Sequence, residues 1–501
     1  MSSTKYTAAD AFRAAGVRNL APFEDIILPF PLWDHQIRAL NKALRLERFG
    51  LYHRPRLGKT FVFLLTSVYY ANYKVRSIIL APPILFKQLE TEWGRVGNNP
   101  FSLKVFKQGP AGRDKLFKAW QSNSYFPQPD VLIMTREIFT KEYKRLHQAG
   151  YAALTWDECH QGLAKATTKA YKAVSWFIDQ GGTKLCLSTG TPIPTTPMQA
   201  YPIINLTNPE AYFNHDAFER MHVVYKKMML ENKRGFKVLT PVPDYPRDIP
   251  GIHEALYKFG DRETGEGVVL LNKPKVQVTS VHLSKAHREL YQQIGLARMV
   301  EFEDGSIIDA TQVAKLRQVL AQVVTSPGEY GADIKDNLVI DMIKELIDEY
   351  PDEEKVVVFA HYNLSCETLH AALKAKYGAV LLYGQQTKLQ NQKAVEAFTG
   401  NKRTRVLVCS TLAGGVGLTL GHVSSVTIFA ETPETYGQLD QAMSRVSLVG
   451  KEKQVDAYLM QAMGTMWEKR VPKLVDRTLH IQQANMDRST LLDELMLRRR
   501  L

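Results

Sequence analysis

The sequence predicts an α/β protein built from two tandem, doubly wound parallel-sheet lobes with an insertion between them. Three observations lead there. Short apolar runs of strand length alternate with helical patterns from about residue 27 to 205, and the alternation returns from about residue 276. Residues 206–275 break the rhythm with Pro-rich and Gly-rich stretches. Polar residues able to do chemistry follow directly on several apolar runs, where open α/β sheets place their ligands.

In the first series, residues 77–81, 131–134, 152–156 and 184–188 read as buried parallel strands, with helical stretches at 84–93 and 114–120 between them. In the second series, 355–359, 379–383, 405–409 and 425–429 read the same way, with helices at 366–376 and 392–398. The region 206–275 holds a Pro-rich stretch at 240–246 and a Gly-rich one at 261–267. It also interleaves Tyr225, Lys226, Lys227, Lys233, Arg234, Phe236 and Lys237. A nucleic-acid contact and a solvated helix face with its loop are both open readings of that pattern. Residues 451–501 read as a mostly helical tail ending Arg498-Arg499-Arg500. The resulting division is an N-terminal segment 1–26, a first lobe 27–205, an insertion 206–275, a second lobe 276–480 and a basic tail 481–501.

Composition narrows the function classes. A chain of 501 residues supports two or three domains, and 45% hydrophobic with 23% charged residues is ordinary globular composition. The net charge of +13 favours a polyanionic partner. Four cysteines, Cys159, Cys186, Cys366 and Cys409, are too few and too scattered for a disulfide framework or a zinc site. The N-terminus lacks a signal-peptide core, and no run approaches the ~18 apolar residues of a membrane span. The expectation is a reduced, cytoplasmic protein without a membrane partner.

The chemistry begins with Ala-Leu-Thr-Trp-Asp157-Glu158-Cys159-His160, two adjacent carboxylates at the end of an apolar run. One carboxylate can hold Mg²⁺ while its neighbour polarises an attacking water; solvated residues leaving a strand are the plain alternative. Upstream stands Arg56-Leu57-Gly58-Lys59-Thr60. Such a loop offers backbone N–H groups to phosphates, the Lys59 ammonium to the β/γ-phosphates and the Thr60 hydroxyl to Mg²⁺. His53 occupies the first glycine position of the general G-x-x-x-x-G-K-[ST] pattern, so a helix start that happens to contain Gly-Lys-Thr stays open. Thr189-Gly190-Thr191-Pro192 follows another strand-like run, and Ser410-Thr411-Leu-Ala-Gly414-Gly415-Val-Gly417-Leu418 follows one in the second series. Gln441-Ala-Met-Ser-Arg445 offers an arginine on a helical stretch.

In this order the segments resemble helicase superfamily two, and most closely its Swi/Snf-type branch, over about residues 27–480. Leu32-Trp33-Asp34-His35-Gln36 is similar to the branch's adenine-reading segment, with Gln36 as reader. Arg56 to Thr60 resembles motif I, which implies nucleotide contacts by Leu57, Gly58, Lys59 and Thr60. Residues 80–93 and 133–136 resemble motifs Ia and Ib, implying strand contacts by Pro82, Lys87, Thr135 and Arg136. Asp157 to His160 is a DECH-type motif II, Thr189 to Pro192 resembles motif III, and 355–361 motif IV. Residues 410–418 resemble motif V, implying nucleic-acid contacts by Ser410, Thr411 and Gly415 and a nucleotide contact by Gly417. Residues 441–450 resemble motif VI, with Gln441 and Arg445 on ATP, and 464–468 resembles a segment that often follows it.

The resemblance implies two RecA-like lobes that use ATP and Mg²⁺. Lys59, Asp157, Glu158 and Arg445 would be the catalytic groups, Thr60 and Asp157 the metal ligands, and His160 the link to motif III. It further implies an ATP-driven translocase, sequence-tolerant on duplex or branched DNA, of the kind used in repair, recombination or remodelling. RNA is the less favoured ligand, and a compact chain of this kind resembles phage or bacterial members, acting in the host cytoplasm if phage-borne. Two departures keep alternatives open. Arg56 stands where the branch has glycine, and Leu448 where motif VI has its second arginine, with Lys451 and Lys453 nearby in sequence. The alternatives are a strand-separating helicase on forks or RNA, and a weak ATPase acting as a nucleotide-gated nucleic-acid-binding module.

Overall fold

The computed structural model describes residues 5–122, 127–194, 196–231, 237–265, 274–297, 299–301, 307–309, 313–330, 337–411, 420–433, 435–447, 453–470 and 474. The chain divides into two compact units, the first running to Glu266 and the second starting at Gly267.

The first unit is a parallel sheet of seven strands: β1 (Arg48–His53), β2 (Arg76–Leu80), β3 (Leu103–Val105), β4 (Val131–Met134), β5 (Tyr151–Asp157), β6 (Lys184–Ser188) and, after a β7–β8 hairpin (Val223–Glu231, Lys237–Pro246), β9 (Gly260–Glu263). Their order across the sheet is β3-β4-β2-β5-β6-β1-β9. Helices cover both faces, as an all-parallel sheet requires. Side chains alternate between the two cores: Ile78, Leu80, Leu132 and Met134 enter one, Ile79, Val131 and Ile133 the other. Burial on both faces is why these strands read as unbroken apolar runs.

Five helices matter for the site: α1 (Ala8–Ala14), α2 (Asp34–Arg45), α3 (Lys59–Asn72), α4 (Phe86–Gly94) and, beyond α5 (Pro110–Gln121), α6 (Arg136–Gln148). The N-terminal segment joins the first core. Thr7 caps α1 through a reciprocal bond with Asp10, and Phe12 meets Phe23 at 4.5 Å between ring centroids.

The second unit is a parallel sheet in the order β10-β17-β16-β13-β15-β14. In chain order its strands are β10 (Lys275–His282), β13 (Lys355–Ala360), β14 (Val380–Leu382), β15 (Val406–Ser410), β16 (Ser424–Phe429) and β17 (Asp456–Met463), with a small β11–β12 ribbon (Met299–Glu301, Ile307–Asp309) apart from it. Val356 and Val358 enter one core, Val357 and Phe359 the other.

Two sequence readings change. Residues 206–275 are not one insertion. They hold a helix at His215–His222, the β7–β8 hairpin, a helix at Ile249–Tyr257, and β9, which pairs in parallel with β1 and closes the first sheet. Gly-Asp-Arg-Glu carries no apolar signal because, as an edge strand, it spends its side chains on ion pairs. Tyr225 and Lys227 accordingly lie on a strand rather than a helix face, while Lys233, Arg234 and Phe236 fall outside the described residues. The stretch from 451 is also not mostly helical at its start, since 456–463 is a strand. Ala457 and Leu459 serve one core and Tyr458, Met460 and Ala462 the other, so two-sided burial erased the alternation that marks a strand.

Candidate nucleotide and nucleic-acid site

The candidate residues of the first unit collect at the carboxyl ends of neighbouring parallel strands. β1 delivers the phosphate-type loop, β6 delivers Ser188 and Thr189, and β5 delivers Asp157, with Asp157 and Ser188 paired in register. The loop is tied down from several directions. His35 Nε2 lies 2.9 Å from Leu57 O, and Gln36 Nε2 donates to Gly58 O at 3.1 Å while its Oε1 accepts from Trp33 N at 2.9 Å. Gln36 is therefore engaged with backbone, and it fixes the loop's end. Gly58 has a positive φ of 71°, and a Cβ there would fall 2.1 Å from Gln36 Nε2, so only glycine fits.

Arg56 takes the branch's glycine position and keeps a glycine's conformation, with φ at 74°. That costs a side chain about 1–2 kcal/mol. Glu158 is left-handed too, at φ 51°. Left-handed residues in a turn let successive N–H groups converge on an anion, and such outliers gather at functional sites. Lys59 opens α3, and its Nζ donates back to His53 O at 2.7 Å and Arg54 O at 3.3 Å. Thr60 follows it in the first turn of that helix.

Asp157 is 8% exposed and accepts from Ser188 Oγ at 2.8 Å. Burial first, then the neighbouring Glu158 carboxylate, push its pKa up to about 6 against the opposing charge of Lys59. His160 Nδ1 meets Thr189 Oγ1 at 2.7 Å and lies 3.4 Å from Glu158 Oε2, so the acid box and the Thr189 segment touch. Burial holds this histidine down at about 4, in spite of Asp157, and it is neutral near pH 7. The arrangement fits a nucleoside triphosphate with a divalent cation. The Lys59 ammonium is held at the loop by the His53 and Arg54 carbonyls, and Asp157, buried beside Glu158, has a raised pKa that a bound cation would lower.

The strand-contact candidates lie on the same sheet edge. Pro82 precedes a 3-10 turn at Pro83–Leu85, and Lys87 is exposed on α4. Thr135 caps α6 by accepting from Ile138 N at 3.3 Å, and Arg136 is the helix's first residue. Pro82, Thr135 and Arg136 share a cavity of about 150 Å³ with Asp157, Glu158 and Gln161. In the second unit Ser410 and Thr411 are buried at the end of β15, Thr411 Oγ1 lying 3.2 Å from His361 Nδ1. Gln441 and Arg445 share the helix Tyr436–Val446. Arg445 is 4% exposed and its carbonyl accepts from Leu420 N and Gly421 N at 2.9 Å each. Gly415, Gly417 and Leu448 lie outside the described residues.

Residues 35–329 match the SNF2-related domain and residues 337–449 the helicase conserved C-terminal domain. The chain belongs to the SNF2-related family. An uncharacterized ATP-dependent helicase of Mycoplasma pneumoniae is 23% identical over 478 residues, covering 91% of this chain and 42% of that protein. The human SWI/SNF-related matrix-associated actin-dependent regulator of chromatin subfamily A member 1 is 22% identical over 500 residues, covering 93% of this chain and 44% of the human protein. This SNF2-related chain thus spans less than half the length of either relative. The Sulfolobus solfataricus SWI2/SNF2 ATPase core in complex with dsDNA is 17% identical with a TM-score of 0.40, covering 94% of this chain and 98% of that one.

Sequence reasoning missed the β9 residues. Asp261 accepts from His53 Nε2 at 2.8 Å, Arg38 Nε at 2.8 Å and Lys42 Nζ at 2.9 Å, joining α2 and the root of the loop. Arg262 Nη1 donates to Tyr52 O and, at 2.9 Å, to Gly190 O. A region read as an insertion therefore braces the phosphate-type loop in this SNF2-related chain. Its signal in sequence was no more than three charges flanked by glycines.

Proposed function

We propose that this SNF2-related chain is a nucleic-acid-dependent ATP hydrolase that couples Mg²⁺·ATP turnover to sequence-tolerant movement on duplex or branched DNA. One observation carries the reading: Lys59, opening α3 after β1, acts by its charge on Asp157, which ends β5 beside Glu158 and has its pKa raised to about 6. Lys59 would exchange the His53 and Arg54 carbonyls for phosphate oxygens. Asp157 and Thr60 would hold Mg²⁺, whose chemistry is to neutralise charge on the phosphates. Glu158 would orient the attacking water, and neutral His160 would keep Glu158 aligned with Thr189. Arg445 would supply the cation of the second unit. The +13 net charge, exposed Lys87 and partly exposed Arg136 support a phosphate-backbone ligand. The four buried, free cysteines suit a reducing compartment such as the cytoplasm.

Leu448 supports a second reading, a weak ATPase that works as a nucleotide-gated binding module. ATP turnover measured with duplex DNA, single-stranded DNA and RNA separates the two. The first reading expects duplex acceleration, its loss in Lys59→Ala, and an ATP-bound, DNA-clamped complex in Glu158→Gln. Turnover that no nucleic acid changes would leave the gated module as the better account. DNA affinity should fall with salt at a log–log slope of about −0.9 per neutralised phosphate.

A further inference from the structure

The cavity shared by Arg136 and Glu158 joins a strand-contact candidate to the acid that would orient water. Arg136 Nη1 donates to the Gln161 carbonyl, and its Nε pairs with the Glu137 carboxylate at 2.6 Å. Gln161 ends the single 3-10 turn Cys159–Gln161, and Glu158 begins it in the left-handed conformation. His160, in the middle, is held by Thr189. The turn is thus pinned at its centre by the neighbouring strand end and at its far end by Arg136. The pin is seated, because a Cβ on Gly162 would lie 2.3 Å from the Trp156 ring and 3.3 Å from Arg136 Cδ. Glycine lets the arginine stem lie against the turn.

Exposure differs across the cavity. The Arg136 side chain is 42% exposed, and that of Glu158 22%. A ligand reaches the guanidinium more readily than the acid. The bonds Arg136 makes now are exchangeable: one is donated to a neutral carbonyl, and the Glu137 pair is open to water and contributes little. A phosphodiester oxygen offers a charge-assisted bond roughly twice as strong as one to a neutral acceptor, with geometry suited to the forked guanidinium.

We propose that Arg136 is a positioning residue that senses the DNA backbone: it pins the Glu158–Gln161 turn until a backbone phosphate takes the guanidinium and releases Gln161. Freed at that end, the turn re-aims Glu158 toward the attacking water, so hydrolysis waits for DNA. This regulation rests on the ATPase reading above, with Arg136 acting through Glu158 and not on the nucleotide itself.

The test uses the full chain with saturating Mg²⁺·ATP, with and without saturating duplex, and reads turnover alongside DNA affinity. Arg136→Ala should raise DNA-free turnover about tenfold, the rate scale of one strained residue relaxed, and bring the stimulation ratio close to one. Arg136→Lys keeps a charge for phosphate but not the fork. It should show a smaller rise in the DNA-free rate with part of the stimulation retained. The proposal is overturned if Arg136→Ala weakens DNA affinity yet keeps the wild-type ratio at saturation, which makes Arg136 a grip alone. It is equally overturned if both rates fall together, which makes Arg136 a support for the fold. Wild type that duplex does not accelerate would overturn the ATPase-motor reading itself, and this inference with it.

Discussion

Two buried aspartates of the first unit stand in opposite electrical circumstances. Asp157 is 8% exposed and Asp261 2%. Burial resists ionisation in both. The donors of Asp157, the Ser188 hydroxyl and the Glu158 N–H, are neutral, and a second carboxylate adjoins it, so its pKa climbs to about 6. Asp261 takes bonds from His53, Arg38 and Lys42, which outweigh burial and hold it far below the ordinary carboxylate range. The difference separates two jobs that sequence writes with the same letter. A buried carboxylate supplied with cations is completed structure, whereas one left short of them has capacity for a ligand. The phosphate-type loop runs between the two, rooted at His53 beside Asp261 and ending at Lys59, whose charge acts on Asp157.

The largest effect that tests this contrast comes from neutralising each acid. Asp157→Asn should cost hydrolysis about a thousandfold, in the range for losing a metal-held or general-base function. It should not destabilise the metal-free protein, because it removes a charge that burial penalises. Asp261→Asn should do the reverse. Turnover should stay within about tenfold of wild type while the first unit loses about 2–3 kcal/mol. That is less than a fully buried pair would lose, because the Arg38 and Lys42 side chains are 46% and 41% exposed. Turnover and urea midpoints for both variants decide it. An Asp157→Asn protein that unfolds more readily than Asp261→Asn would collapse the distinction.

A smaller effect is set by pH, and the two regions should pull in opposite directions. Asp157 binds its proton more tightly folded than unfolded. Its stabilising contribution is complete below the unfolded value near 3.8 and is lost as pH rises through about 6. His53, beside Asp261, is pushed down to about 4 by burial. Its contribution is complete above 6.5 and is lost as pH falls toward 4. Between those limits the wild-type slopes oppose one another. Asp157→Asn should therefore show a steeper gain of stability from pH 4 to 6.5 than wild type, and denaturation across that range measures it. Protons should also compete with the metal below about pH 6, raising the Mg²⁺ needed for half-maximal turnover.

The two regions also differ in how far sequence revealed them. Asp157, Glu158 and Thr189 each follow an apolar run, because a strand buried on both faces must end before polar chemistry can begin, whereas Lys59 was legible from its Gly-Lys-Thr loop pattern. The same rule made β2, β4, β5 and β6 readable. Asp261 lies more than 200 residues from the histidine it meets, on an edge strand whose polar residues give no period, so only folding could bring the pair together. β17 was lost for the opposite reason: burial on both faces filled it with Ala, Leu and Met, residues that suit a helix equally well. Arg56 was legible as a departure, though not as one that would retain a left-handed backbone.

The smallest effect lies in the loop between the aspartates. Arg56 carries the left-handed cost of about 1–2 kcal/mol, and Arg56→Gly would remove it. Glycine gives back about 0.5–1 kcal/mol through the freer unfolded chain, so a net gain of up to about 1.5 kcal/mol should remain. Burial lowers the guanidinium's pKa, and Arg56 is half-buried in the loop. A cation held there should attract ATP phosphates equally before and during hydrolysis. Arg56→Gly should then raise the KM for ATP a few-fold and leave kcat unchanged, the signature of uniform binding. A fall in kcat would instead assign Arg56 to the transition state. A loss of stability would mean that contacts of the half-buried guanidinium exceed the strain, and that the loop is fastened at its middle as well as at its two ends.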